Sequence, residues 1–274
     1  MKFPIYQIDA FTDQVFSGNP AAVVPLERWL PDADLQAIAA ENNLSETAYF
    51  VPESDGQTGF HLRWFTPTNE VDLCGHATLA AAWVLFNKLH YPASSISFRC
   101  QAGVISVAKF NDMLQMDFPA RPARDIPLDP KVLSALGIQS AAAMLQSRDL
   151  LVVLETEEQL ARLNPDFNAL GALDYFGVCV TAPRTAAQAN ANEQDSADFV
   201  SRFFAPQQGV NEDPVTGSAH CTLVPYWAQR LGNATLIAHQ ISPRGGVLHC
   251  QTDGERVKIS GRACCYLEGN INLP

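Results

Sequence analysis

The chain has 274 residues, 47% hydrophobic and 17% charged, which places it among globular rather than disordered proteins. Its net charge is −11, from 18 basic and 29 acidic residues, and such a surface argues against nucleic-acid binding. No apolar stretch nears the ~18 residues that span a bilayer, so no membrane partner is expected.

No basic-plus-apolar leader follows Met1. The seven cysteines (Cys74, Cys100, Cys179, Cys221, Cys250, Cys264 and Cys265) lack C-x-x-C spacing. Both observations fit reduced thiols in a cytoplasmic protein.

In chain order, residues 4–11 alternate apolar and polar and read as a strand. Ser17-Gly18-Asn19-Pro20 is turn chemistry. Pro31-Asp32 opens a helix with Leu35, Ile38 and Ala39 on one face. Residues 44–51 and 59–65 read as strands. Residues 75–89 are apolar nearly all round, the mark of a buried central helix. A hairpin turns at Asn111-Asp112. Residues 119–130, with four prolines, read as an interdomain linker. Residues 185–198 read as a solvated loop. A second helix spans 217–231, with Gly232 as its cap and Pro225 expected to kink it. A last hairpin turns at Asp253-Gly254.

Two stretches repeat the pattern F-x-x-R-(W/F)-F-x-P: residues 60–67 and 199–206, offset by 199 − 60 = 139 positions. Each leads into a helix start, at Gly75 and at Gly217. A self-match at fixed offset marks a repeated structural unit. The expectation is an α+β fold of two pseudo-symmetric lobes, 1–118 and 119–274, with the last strand able to cross back. Each lobe is a mostly antiparallel sheet around one buried helix, with no β-α-β rhythm. Two helix N-termini aimed at a shared cleft favour a small anion there.

Glu46 lies among Leu44, Ala48, Tyr49, Phe50 and Val51, surroundings that disfavour its charged form and suit a general acid/base. The alternative is a glutamate bonded to nearby backbone. Asp213 precedes Thr216 and Gly217, so it is either a capping residue, in competition with Thr216, or functional. Gly75, His76, Gly217 and Ser218 supply the first N–H groups of the two helices. His76 reads as a hydrogen-bonding or proton-handling group. No histidine pair has helical metal spacing, and no metal is expected. Cys74 lies at a helix N-terminus, where a thiol can have a lowered pKa. The matching place in the second copy has no cysteine, so a thiol pair is absent.

These motifs resemble the PhzF-like isomerases of phenazine biosynthesis, relatives of diaminopimelate epimerase. The resemblance rests on Asp9-Ala-Phe-Thr, Gly18-Asn19-Pro20-Ala21, Leu44-Ser45-Glu46-Thr47-Ala48, Phe65-Thr-Pro-Thr, Cys74-Gly75-His76-Ala77-Thr78 and Glu212 to Ala219. It implies a diaminopimelate epimerase-like fold, a cofactor-free site and a homodimer. It also implies Glu46 as acid/base, with His76, Asp213, Gly217, Ser218 and Asn19 lining the pocket. The expected activity is a double-bond shift or epimerisation of a small carboxylate-bearing metabolite. The rivals are a non-catalytic carboxylate-binding protein and a Cys74-dependent racemase.

Overall fold

A computed structural model describes residues 1–53, 59–184 and 196–273. The chain divides into two compact units, Met1–Phe118 with Lys258–Pro274, and Pro119–Val257.

In the first unit, β1 (Lys2–Ala10) and β2 (Asn19–Pro25) are antiparallel. Gly18, at φ +64°, closes their turn. A Cβ there would meet the Ala10 carbonyl oxygen at 2.2 Å, so only glycine fits. A connection carrying α1 (Asp32–Asn42) leads to β3 (Glu46–Pro52), parallel to β2. β3 is antiparallel to β4 (Phe60–Phe65), and β4 is antiparallel to the short β5 (Glu70–Val71). Helix α2 (Gly75–Asn87) then leads to β6 (Ser95–Cys100), parallel to β4. β7 (Gly103–Phe110) and β8 (Met113–Pro119) complete a meander that turns at Asn111, φ 55°.

The second unit opens with β9 (Arg124–Ile126), which pairs with β10 (Ala143–Gln146) across α3 (Pro130–Leu136). Most of the proline-rich stretch expected to be a linker is therefore part of this unit. β10 is antiparallel to β11 (Leu150–Val153). Past α4 (Glu157–Ala161) and α5 (Phe167–Gly171), β11 is parallel to β12 (Val178–Pro183). β12 is antiparallel to β13 (Phe199–Ala205), and β13 to β14 (Val210–Asp213). Helix α6 (Gly217–Leu231) leads to β15 (Thr235–Gln240), parallel to β13, and β15 is antiparallel to β16 (Gly246–Thr252). β17 (Arg256–Gly261) and β18 (Ala263–Asn272) follow, and β18 pairs with β1 along its length. In the first unit β18 thus holds the place that β9 holds in the second.

The α+β class with two repeated units is what the structure has. The order of pairings is the same in both units: antiparallel, parallel, antiparallel, antiparallel, then parallel after the long helix. One expectation needs correction, because each unit contains two parallel crossovers that carry helices. Local alternation identifies a strand but not its neighbour, so the parallel partners were hidden. Most of the stretch expected to be a solvated loop, 185–195, lies outside the described residues.

Burial follows the strand period of two. Tyr49 and Val51 of β3 pack with Leu35, Ile38 and Ala39 of α1, and the Tyr49 hydroxyl donates to the Leu35 carbonyl at 2.7 Å. Glu46, Ala48 and Phe50 therefore share the other face, and α2 packs on β3. Eleven of the thirteen α2 residues are buried, as its apolar circumference predicts.

Candidate active site

Glu46 is the first residue of β3, and His76 is the second of α2. Strand and helix bring His76 Nε2 to 3.1 Å from Glu46 Oε2. His76 is 5% exposed, and the Glu46 side chain keeps 17% exposure. The ring N–H does not lie along the line to the carboxylate, so the contact is an ion pair and not a straight hydrogen bond. Both atoms are buried and lack a hydrogen-bond partner. Buried polar atoms are nearly always satisfied, so such a pair points to a function or a missing partner.

Asn19, fully buried at the start of β2, places its Nδ2 3.1 Å from His76 Nδ1 and accepts from Ser45 Oγ at 3.4 Å. With the amide N–H donating, Nδ1 is an acceptor and the ring proton sits on Nε2, beside Glu46. Asn19, expected to touch a ligand, here touches His76.

Burial pushes the His76 imidazole down, but Cys74 and Glu46 outweigh it and leave it well above its ordinary range. Of these two, Glu46 is the charge to credit at neutral pH. Burial first, and then Glu46, push the Cys74 thiol up to about 11, so it is not an anion there. The thiol thus lacks the lowered pKa that a helix start can impose, in keeping with a packing role for Cys74. A doubly protonated ring would need the Asn19 amide to turn its oxygen toward Nδ1. Ser45 would then accept where it now donates.

Among the described residues, Glu46, Cys74 and His76 are a group whose ligand atoms lie within 4.8 Å of one another. They fit a metal poorly. One imidazole nitrogen already faces Asn19, and the other faces the Glu46 carboxylate.

In the second unit, Asp213 ends β14 and Gly217 opens α6. The Thr216 hydroxyl donates to Asp213 Oδ2, and Thr216 gives no side-chain hydrogen bond to the helix it precedes. Thr216 therefore orients Asp213 rather than capping α6. The residue before α2, Cys74, gives no capping bond either. Both helix starts thus keep open N–H groups, at Gly75 and His76 and at Gly217 and Ser218.

Gln240, at 1% exposure, braces the turn into α6. Its Nε2 donates to the Asp213 carbonyl at 2.7 Å, and its Oε1 accepts from the Thr216 N–H at 2.8 Å. Sequence reasoning missed it, because a glutamine ending a strand carries no local signal.

The arginines of the repeat do the same job twice. Arg63 forks onto Glu70 at 2.7 and 2.7 Å, and Arg202 onto Glu212 at 2.7 and 2.8 Å. Each guanidinium lies 5.0 Å over the ring two residues on, Phe65 or Phe204. Each glutamate stands five positions before its helix glycine (75 − 70 = 5 and 217 − 212 = 5). Bidentate pairs of this kind fix geometry as well as charge, and here they set the approach to each helix. The glutamate spacing was a visible signal that went unused.

The repeat also shows what was not duplicated. Tyr49 pairs with Arg63, and Val180 with Arg202. Counting back three from each (49 − 46 = 3, 180 − 177 = 3) matches Glu46 to Gly177. A Cβ on Gly177 would lie 2.4 Å from the Phe203 ring. The carboxylate is encoded once.

A cavity in the first unit, lined by residues including Trp29, His61, Arg63, Trp64, Glu70 and Arg99, contains neither Glu46 nor His76. Its arginines are engaged, Arg63 by Glu70 and Asp32 and Arg99 by Glu53.

Residues 8–269 match the model of the family described as phenazine biosynthesis-like protein. An uncharacterized isomerase of Pseudomonas aeruginosa is 51% identical, with 100% of both chains covered. A crystal structure of a phenazine biosynthesis protein of the PhzF family from Enterococcus faecalis is similar at TM-score 0.92 and 48% identity, covering 100% of both chains. A hydroxyproline epimerase from Agrobacterium vitis is similar at TM-score 0.59 and 10% identity, covering 98% of this chain and 92% of that one, a likeness of fold alone.

Proposed function

The chain belongs to the phenazine biosynthesis-like family and is an isomerase, and on that premise we propose that Glu46 moves a proton within a small carboxylate-bearing metabolite. The reading is carried by the adjoining buried atoms of Glu46 and His76, which lack hydrogen-bond partners beside an uncapped helix start. Glu46 removes a proton from an activated carbon and returns it to a neighbouring carbon or to the same one. His76 holds the oxygen that gains charge and passes a proton to it. In the second unit the start of α6, with Asp213, Gly217 and Ser218, is read by itself as a substrate-binding site for polar groups. An acid/base pair beside an open helix start suffices for a proton shift, so this reading uses no resident cofactor. The reading extends to a cytoplasmic homodimer, which sedimentation velocity tests and a monomer at all concentrations refutes.

Removing a general acid/base costs ~10²–10⁴ in rate. Glu46→Gln therefore loses that much of the deuterium incorporation that wild type shows in D₂O with a panel of small amino and hydroxy acids, while keeping its melting behaviour. Equal exchange by the two proteins removes Glu46 from the mechanism. A binding protein shows no exchange with any ligand it retains.

A further inference from the structure

The turn Ser147-Arg148-Asp149 joins β10 to β11 and comes to the start of α6. Asp149 is buried, its side chain 6% exposed, and it accepts Arg148 Nε at 3.1 Å and Nη2 at 3.0 Å. Burying a carboxylate is costly unless it is paired, so this contact locks the guanidinium in place. The turn is held as well. The Ser147 N–H donates to the Asp149 carbonyl, and its hydroxyl donates to the Arg121 carbonyl. Arg148 lies 4.5 Å over the ring of Phe176, itself 45% exposed.

Neutralising Asp149 uses one edge of the guanidinium. Nη2 also donates to Ser218 Oγ at 3.1 Å, in the first turn of α6. Among the described residues Nη1 has no acceptor, and the side chain keeps 32% exposure. A second guanidinium lies close by. The Arg121 N–H donates to the Cys221 carbonyl, and its Nη1 is buried with no partner. Burial pushes the Cys221 thiol up to about 11, and the charges of both arginines oppose that push.

We propose that Arg148 is the specificity-determining residue of the α6 site. Its unpaired Nη1 edge, with the Gly217 and Ser218 N–H groups, takes a carboxylate of the substrate. The inference rests on the reading of the α6 start as a substrate site and assigns to it the class of group bound, a planar carboxylate rather than an amide or hydroxyl. The fork of a guanidinium matches the two oxygens of a carboxylate, and that match supplies discrimination as well as attraction.

Malonate and its neutral analogue malonamide are the probes, added to the full chain while the amide resonances of Gly217 and Ser218 are followed by NMR. With wild type, malonate shifts both saturably and malonamide does not. Arg148→Met weakens malonate about tenfold or more, the value of a charge-assisted hydrogen bond, and Arg148→Lys weakens it less. If Arg148→Met misfolds with Asp149 left unpaired, the double variant Arg148→Met/Asp149→Asn removes both charges and is titrated instead. Malonate binding within twofold of wild type in either variant overturns the proposal, as does an absence of saturable shifts in wild type. Glu46→Gln keeps malonate binding, so the two readings fail separately: loss of exchange in Glu46→Gln with normal malonate affinity in Arg148→Met refutes this inference alone.

Discussion

His76 Nε2 and Glu46 Oε2 stand 3.1 Å apart, yet neither makes a straight hydrogen bond. Unit charges about 4 Å apart at an effective dielectric of about 20 attract by about 4 kcal/mol. That attraction opposes the several kcal/mol of burying an ion, and for His76 it wins, since the imidazole lies well above its ordinary range.

The position of the ring proton depends on Asn19. Asn19→Leu removes the donor to Nδ1 and leaves a buried ring nitrogen unsatisfied, at a cost of about 1–3 kcal/mol in stability. The proton is then no longer confined to Nε2. The ¹⁵N shifts of the His76 ring in this variant report a mixed tautomer, where wild type reports one. An unchanged tautomer in Asn19→Leu removes Asn19 from the role.

Two buried histidines give opposite responses to pH. Burial depresses His220 to about 4, only partly offset by the hydrogen bond to the Thr216 carbonyl. Its folded value lies below the ordinary 6.5, so the stability it contributes is present above 6.5 and lost as pH falls toward 4. The loss is about 3 kcal/mol. His76 is raised, so its contribution is present below 6.5 and lost as pH climbs through the higher folded value. Denaturant unfolding of His220→Gln shows a shallower acid limb than wild type and an unchanged alkaline one. An acid limb as steep as that of wild type rejects the assignment.

Cys74 is 7% exposed, and its thiol is protonated at neutral pH. Iodoacetamide at pH 7.5 leaves it unmodified in the native chain, as mass spectrometry of the digest reads out. Cys74→Ala retains exchange within about tenfold, against the ~10²–10⁴ expected for loss of an acid/base. A collapse of exchange in Cys74→Ala restores the thiol racemase.

Arg202 also donates to the carbonyls of Leu160 and Leu163, and its side chain is 12% exposed. Arg202→Met strands Glu212 and costs about 3–5 kcal/mol in chemical denaturation. Adding Glu212→Gln recovers part of that loss, because the stranded charge is gone. Additive losses in the double variant break the proposed coupling.

Much of the fold was legible because it is written twice. The arginine-aromatic repeat and the glycines of both helix starts located the two units before any coordinate did. The apolar circumference of residues 75–89 identified α2, and the Asn111 turn identified its hairpin. Parallel pairings were not legible, since alternation along one strand is silent about its partner. In the site, Glu46 and His76 carried chemistry in their types and settings. Gln240 and Arg148 did not, because the contacts that bring them to the start of α6 reach 24 or more positions along the chain, Gln240 to Thr216 and Arg148 to Ser218.

β18 closes the first unit by pairing with β1, and the Leu273 N–H donates to the Met1 carbonyl. Phe118 and Lys258 are separated by 258 − 118 = 140 positions, so a ribosome releases the first unit's opening segment long before its final strand exists. At ~5–20 residues per second the wait is about 7–28 s. Throughout it, one edge of β1 is bare, an invitation to mispairing that chaperones screen in the cell. Nascent chains stalled before residue 258 are therefore the protease-sensitive, aggregation-prone form of this molecule.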